Sequence, residues 1–437
     1  MRTPKKIFIA FIPALILSAC GPARFDAIPV AAPSSAVTKT LDLTEEQTQA
    51  WGAADLSQDT IAGMSVDKAY AELLSQRNST TVIVGVIDSG VDIEHEDLKN
   101  VIWVNEDEIP GNGIDDDRNG YVDDIHGWNF LGDIVQENLE YVRIIRELGP
   151  EFEGKEAGDI AADRAEAHAL YNKAKAAYEK DYTEAAQNKA RYQGMYDQLS
   201  IAHSLVTEKL GTDQYGKEDL AGLTDLTEDE QGLVERLGQM MAFGPNIPAV
   251  LDRLNGGVAY FTNRLESHFN LSTDYRAANL GDDANDWSSK YYGNNDVDGP
   301  DPKKEDARHG THVAGIIAAE RNNGIGMNGV ADNAKIMVVR TVPDGDEYDK
   351  DVALAIRYCV NNGAKVLNTS FGKGFSPHPE WVWDAIRYAS DNDVLIVNAA
   401  GNDGMDLDQN EVYPNDVRPG ETEEIGNTLD RKSTRLN

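Results

Sequence analysis

The sequence predicts an α/β fold, a doubly wound, mostly parallel sheet with helices on both faces, interrupted by a long helical insertion. Two observations predict the sheet. Apolar, β-branched runs of strand length ("TTVIVGVIDSG", "AKIMVVRTV", "AKVLNTSFG", "DVLIVNAAGN") alternate with helical stretches ("EYDKDVALAIRYCVNNG", "PEWVWDAIRYASDN"). Strand, helix, strand is how parallel strands connect, and continuous apolar runs mark strands buried on both faces. A third observation predicts the insertion. Between Phe130 and about Asp286 the composition shifts to Ala, Glu, Lys and Gln with few β-branched residues, which favours long helices.

The elements follow in chain order. Residues 1–20, "MRTPKKIFIAFIPALILSAC", place Arg2, Lys5 and Lys6 ahead of an apolar run from Ile7 to Leu17. This is the pattern of an export signal, and the run is too short to span a bilayer. Leu17-Ser18-Ala19-Cys20 resembles the bacterial lipobox, which implies lipidation of Cys20, a membrane attachment through that lipid anchor, and a place in the bacterial cell envelope on the periplasmic or surface side. An ordinary cleaved signal with a chance cysteine is the alternative. Residues 21–42, rich in Pro, Ala, Ser and Thr, read as a flexible tether.

Folded structure is expected from residue 43, beginning with a helix at "SVDKAYAELLSQ". Residues 43–134 and 287–429 then form two parts of one sheet domain around an insertion at 135–286. Within the insertion Leu170, Tyr171, Ala174, Tyr178 and Tyr182 recur at helical spacing, as expected of a seam between packed helices, a hairpin being the simplest form.

Charge and cysteine usage narrow the function classes. With 75 acidic against 40 basic residues and a formal charge of -35, the chain is unsuited to nucleic acid or an anionic surface and suited to divalent cations. Only Cys20 and Cys359 are present, so a lipidated Cys20 leaves no intrachain disulfide. Cys359 lies on the apolar face of "LAIRYCVNNG" and is expected to pack rather than react.

Four motifs carry the chemistry: "VIVGVIDSGVD" around Asp88, "HGTHVAGIIAA" from His309, "NTSFG" from Asn368, and "VNAAGNDG" around Asn402. In this order they resemble the subtilisin-like serine proteases, peptidase family S8, over about Val82 to Pro414. The resemblance implies a subtilisin-like fold and protein or peptide substrates. It makes Asp88 the buried carboxylate, His309 the general base and Asn402 the oxyanion donor. Ser370, Phe371 and Gly372 become the edge that binds substrate as an added strand.

The residues themselves agree with these roles. A general base needs its tautomer fixed and its cation stabilised, and a carboxylate at a strand end does both. A histidine at a helix start is held rigidly, whereas His312, three residues on, is expected to face the core. Asn402, in Gly401-Asn402-Asp403-Gly404, also fits a plain turn.

"DDDRNGYVDDIH" has Asp115, Asp117 and Asn119 at alternate positions, Gly120 sixth, Tyr121 seventh and Asp123 ninth. This is the front of an EF-hand-type loop and predicts structural calcium, with a solvated acidic turn as the alternative. His126 replaces the usual twelfth-position Glu, so Asp124 or an outside residue must complete the shell. No flanking helices are evident, and an isolated loop bracing the surface is expected. A second acidic stretch, "NNDVDGPDP", offers Asp296, Asp298 and Asp301 and fits ion binding or solvation equally.

The family's nucleophile is a serine in a Gly-Thr-Ser-Met-Ala-like turn beyond the oxyanion asparagine. No such motif follows Asn402, and Ser433 in "RKSTRLN" lacks the glycine and small residues of that turn. "DRKSTRLN", Asp430 to Asn437, resembles the translation of a sequencing adapter. The expectation is therefore a serine endopeptidase fragment truncated before its catalytic serine and inactive as given. The competing expectation is a non-catalytic, subtilase-like binding protein of the envelope.

Overall fold

The computed structural model describes residues 42–402, 404–406, 410–418, 425 and 428–429. The export signal, Cys20, the tether through residue 41, Ser433 and Asp430–Asn437 lie outside the described residues. The chain divides into two compact units, one ending at Ala71 and one beginning at Glu72.

In the first unit Thr44 and Gln47 form a capping box on helix Glu45–Ala50. Asp55 is the other organiser of this unit. Its carboxylate accepts from the backbone N–H groups of Ser57 and Gln58, both at 3.0 Å, and from the Ser65 hydroxyl at 2.8 Å. These bonds satisfy donors that a helix start leaves open.

The second unit contains, in chain order, β1 (Val82–Asp88), β2 (Gly127–Asn129), α1 (Glu140–Phe152), α2 (Ala165–Leu210), α3 (Glu228–Met240) and α4 (Ile247–Asn263). There follow α5 (Arg308–Ala318), β3 (Ala334–Arg340), α6 (Asp349–Asn361), β4 (Val366–Thr369), α7 (Pro379–Asp391), β5 (Leu395–Asn398) and β6 (Thr428–Leu429). The sheet order is β2-β3-β1-β4-β5-β6, and every paired strand is parallel. The chain winds from β1 toward β3 on one side and toward β4 on the other. Asp88 therefore ends a strand at the point where the winding reverses, where such sheets bind ligands.

Period-two alternation assigns the two faces. Val84, Val86, Ile336 and Val338 pack with Ala314 and Ala318 of α5. Ile87, Met337 and Val339 pack with residues of α6 and α7, including Val352, Ile356, Cys359 and Ile386. Helices thus cover both faces, and burying each such aliphatic side chain contributes about 1.5–3 kcal/mol. Gly85 is the point of closest approach, since a Cβ there would lie 2.7 Å from the Cys359 sulfur. Cys359 is fully buried, and burial pushes its thiol pKa up, as packing without reactivity requires.

The insertion is a bundle of several helices rather than a single hairpin. Its 46-residue α2 runs antiparallel to α4, because Tyr178 meets Phe269 (6.0 Å between ring centroids) while Tyr192 meets Phe261 (5.7 Å). The Tyr171 seam is core: Tyr171 and Ala174 are buried with Phe152 and Phe269. A second cluster, including Leu199, Val206, Leu237 and Leu254, joins α2 to α3 and α4 farther along. Thr227 with Glu230 and Asn246 with the Ala249 N–H cap α3 and α4, and Gly211 at φ 70° ends α2.

Buried charges tie the insertion to the sheet domain. The Arg276 guanidinium forks onto Asp351 of α6 with two bonds of 2.9 Å and also holds Asp282, which accepts from Lys350 at 2.8 Å. Glu140 of α1 pairs with Arg143 at 2.5 Å and with Lys373, beyond β4, at 2.6 Å. Burial opposes the charge on Glu140, but the two cations hold its pKa down at about 2.

Candidate active site

The site begins where α5 meets the turn after β1. A Cβ on Gly310 would lie 2.1 Å from the Gly90 carbonyl oxygen and 3.2 Å from Asp88 Cβ, so only glycine lets the helix approach this closely. Gly90 has φ 109°, a backbone conformation suited to glycine. Thr311 completes the joint: its hydroxyl donates to the Ala307 carbonyl at 2.8 Å and accepts from the Asp92 N–H at 2.9 Å. These contacts account for the Gly and Thr that follow His309.

His309 and Asp88, separated by 221 residues in sequence, meet with Nδ1 and Oδ1 2.7 Å apart. Asp88 is fully buried, whereas the His309 side chain is 62% exposed. The same Oδ1 accepts the Ser89 N–H at 2.7 Å, while Oδ2 is buried without a partner. When Nδ1 is the donor, Nε2 carries the lone pair of the neutral ring, the form a general base needs. The hydrogen bond to Asp88 raises the His309 pKa above its ordinary value despite the opposing effect of burial.

His312 departs from its expected place, because it is exposed. The buried stripe of α5 is Gly310, Ala314 and Ala318, spaced by four, and His312 falls on the other side of the helix. Asn402 lies on the exposed loop after β5, next to Gly401 at φ 82°. Ser370, Phe371 and Gly372 follow β4 directly. The Ser370 hydroxyl donates to Asn368 Oδ1 at 2.9 Å, the Phe371 ring is buried in the core, and Gly372 is exposed.

In the acidic loop, carboxylates of Asp115, Asp117 and Glu108 converge, with one oxygen of each within 4.8 Å of the others. No Lys or Arg ion pair to these three is recorded among the described residues. Asp123 is directed elsewhere. Held at φ 53°, its carboxylate accepts the backbone N–H groups of Gly111 (2.8 Å), Asn112 (3.2 Å) and Gly113 (2.8 Å) and so shapes the neighbouring turn. His126 bonds the Trp103 carbonyl through Nδ1, and the Tyr121 ring is buried against Trp128 and Phe130.

The second acidic stretch carries its own cation, since Lys304 pairs with Asp298. Burial, reinforced by the neighbouring Asp298, pushes Asp296 up to about 6. Asp301 caps a turn, accepting the N–H groups of Lys303 and Glu305 at 3.0 Å. Glu108, Arg340 and Lys373 belong to no motif in the sequence. Glu108 sits outside the loop pattern, Arg340 ends an apolar strand, and Lys373 lies in an isolated bridge to Tyr413, so no local spacing singled them out.

A buried carboxylate hydrogen-bonded to an exposed histidine thus stands at the carboxyl end of a doubly wound sheet. The family model for the subtilase family (peptidase S8) matches residues 79–425, most of the chain. The chain belongs to the subtilase family. A thermophilic serine proteinase of Bacillus sp. (strain AK1) is 43% identical over 97 residues, covering 22% of this chain and 24% of that protein. Subtilisin BL of Lederbergia lenta is 37% identical over 131 residues, covering 29% of this chain and 47% of that protein. Among solved structures, sphericase aligns at 32% identity over 28% of this chain and 38% of its own, with a TM-score of 0.23. The matched stretches span less than half the length of these relatives.

Proposed function

We propose that the chain is part of a subtilisin-type serine endopeptidase that cleaves proteins or peptides at the bacterial cell envelope, anchored by a lipid on Cys20. The observation that carries this reading is the 2.7 Å contact between His309 Nδ1 and Asp88 Oδ1 within the family-matched region. Asp88 fixes the tautomer, and Nε2 of His309 takes the proton of a nucleophilic serine. The imidazolium so formed is stabilised by the Asp88 carboxylate. Asn402 and a backbone N–H stabilise the tetrahedral oxyanion. The Ser370–Gly372 backbone receives the substrate as an added strand.

A calcium ion, held by Asp115, Asp117, Asn119, the Tyr121 carbonyl and Glu108, is part of the same proposal. Three convergent carboxylates are the donor chemistry that calcium takes. Bound there, the ion supplies charge neutralisation and rigidity, not a chemical step.

A serine-directed fluorophosphonate tests the catalytic reading. Protein expressed from the extended reading frame is expected to be labelled, and the 437-residue chain is expected to remain unlabelled and to turn over no peptide ester. Labelling of the 437-residue chain would overturn the role assignments. A folded extended protein that resists labelling would favour the non-catalytic binding protein.

A further inference from the structure

Arg340 ends β3 directly beside Asp88 in the sheet register and is fully buried. A guanidinium has five N–H donors in a fixed plane, and here each has an acceptor. Nε donates to the Ser89 carbonyl at 3.1 Å. Nη1 donates to Asn129 Oδ1 at 3.2 Å and to the Gly132 carbonyl at 3.0 Å. Nη2 donates to the Ile134 carbonyl at 2.7 Å and approaches Asp306 Oδ2 at 3.4 Å. Most of these acceptors are neutral, so the group acts as a template for backbone more than as one half of an ion pair.

The acceptors belong to the segments that carry the candidate base pair. Ser89 is fixed at both ends, because its N–H donates to Asp88 Oδ1 and its carbonyl accepts from Arg340. Asp306 precedes α5, accepts the Ala307 N–H at 3.1 Å, and stands three residues before His309. Gly132 and Ile134 form the root from which the insertion departs. The pocket is cut to the guanidinium: a Cβ on Gly299 would lie 2.9 Å from Arg340 Nε, and one on Gly90 would lie 3.3 Å from its Cδ.

We propose that Arg340 is a positioning residue for the Asp88–His309 pair, registering the turn that holds Asp88 against the start of the His309 helix and the root of the insertion. The assignment rests on the reading of Asp88 and His309 as the catalytic acid–base pair. Arg340 touches neither side chain and takes no part in proton transfer. Its effect is to keep the Asp88 carboxylate within hydrogen-bonding distance of the imidazole, where small displacements are costly to catalysis. Lysine would retain the charge but offers three donors from one point, so at least two of the five acceptors would lose their partner.

The test is an NMR titration of the His309 imidazole in the full chain and in Arg340→Lys, with urea unfolding of both. The expected result is a folded Arg340→Lys chain whose His309 titrates lower than in the wild type, because the bond to Asp88 has lengthened. A purely structural role predicts a lower urea midpoint with the His309 titration unmoved, and that result overturns the proposal. Should Arg340→Lys fail to fold, Asp306→Glu disturbs one arm of the fork while conserving charge. A downward shift there supports the proposal and an unmoved titration overturns it. Failure of the underlying reading looks different: wild-type His309 would titrate at its ordinary value and Asp88→Asn would leave it there.

Discussion

Two opposing effects set the protonation of His309. Partial burial disfavours the imidazolium, and the hydrogen bond and negative charge of Asp88 favour it; the second effect prevails and the pKa rises. Linkage then fixes a sign. A histidine whose folded-state pKa exceeds its unfolded value contributes stability that is fully present below the unfolded value, about 6.5, and is lost as pH rises through the folded value. Asp88→Asn replaces the charged hydrogen-bond acceptor that raises the pKa. The stability advantage of the wild type over Asp88→Asn should therefore be largest between pH ~5 and ~6.5 and shrink as pH rises through the folded His309 value. Urea unfolding of both proteins across that range measures it, and a constant difference would remove Asp88 as the cause of the shift. The exposure of His309 screens the interaction, so the direction rather than a large magnitude is the diagnostic.

Elements in this molecule are joined by buried charge as much as by apolar packing. Lys373, two residues beyond Phe371, is 5% exposed and holds Glu140 at 2.6 Å, Asp349 at 2.9 Å and the Glu347 carbonyl at 2.7 Å. One ammonium thus links the expected substrate edge, the start of α6 and the first insertion helix. Removing one partner of a buried pair strands the other charge, so Lys373→Met should destabilise the fold by about 3–5 kcal/mol, read from the urea midpoint. A loss within about 0.5 kcal/mol, typical of surface substitutions, would show that the insertion is not braced through this contact. Such links also mark the limit of sequence reading. The apolar runs of β1, β3, β4 and β5 and the helices between them were legible because their periodicity is local. The three residues of β2 and the two of β6 are too short to leave a period. His312 was misplaced because small residues, not the larger histidine, form the contact stripe of α5. Lys373 reaches Glu140 across 233 residues and Arg340 its nearest carbonyl, that of Ile134, across 206, separations that carry no pattern along the chain.

Taken whole, the molecule carries a formal charge of -35, and self-repulsion makes any local concentration of carboxylates costly. The acidic loop is the place where that cost meets the core. Asn105 donates to both Asp117 and Asp124, at 3.0 and 3.1 Å, and the Tyr358 hydroxyl of α6 donates to Asp124 at 2.6 Å. Backbone bonds carry the loop onward into β2, which pairs with β3 and ends at Asn129, an acceptor for Arg340. Disorder in the loop would therefore reach the sheet. An ion bound only by the folded loop stabilises the whole unit by mass action, about 2.7 kcal/mol at a hundredfold excess over its dissociation constant. Adding calcium to chelator-treated protein should raise the melting temperature, and Asp117→Asn should blunt the response, since it removes one of the three converging carboxylates. Equal melting temperatures in calcium and in chelator would show that the carboxylates serve only as hydrogen-bond acceptors for the loop backbone, as Asp123 does for residues 111–113.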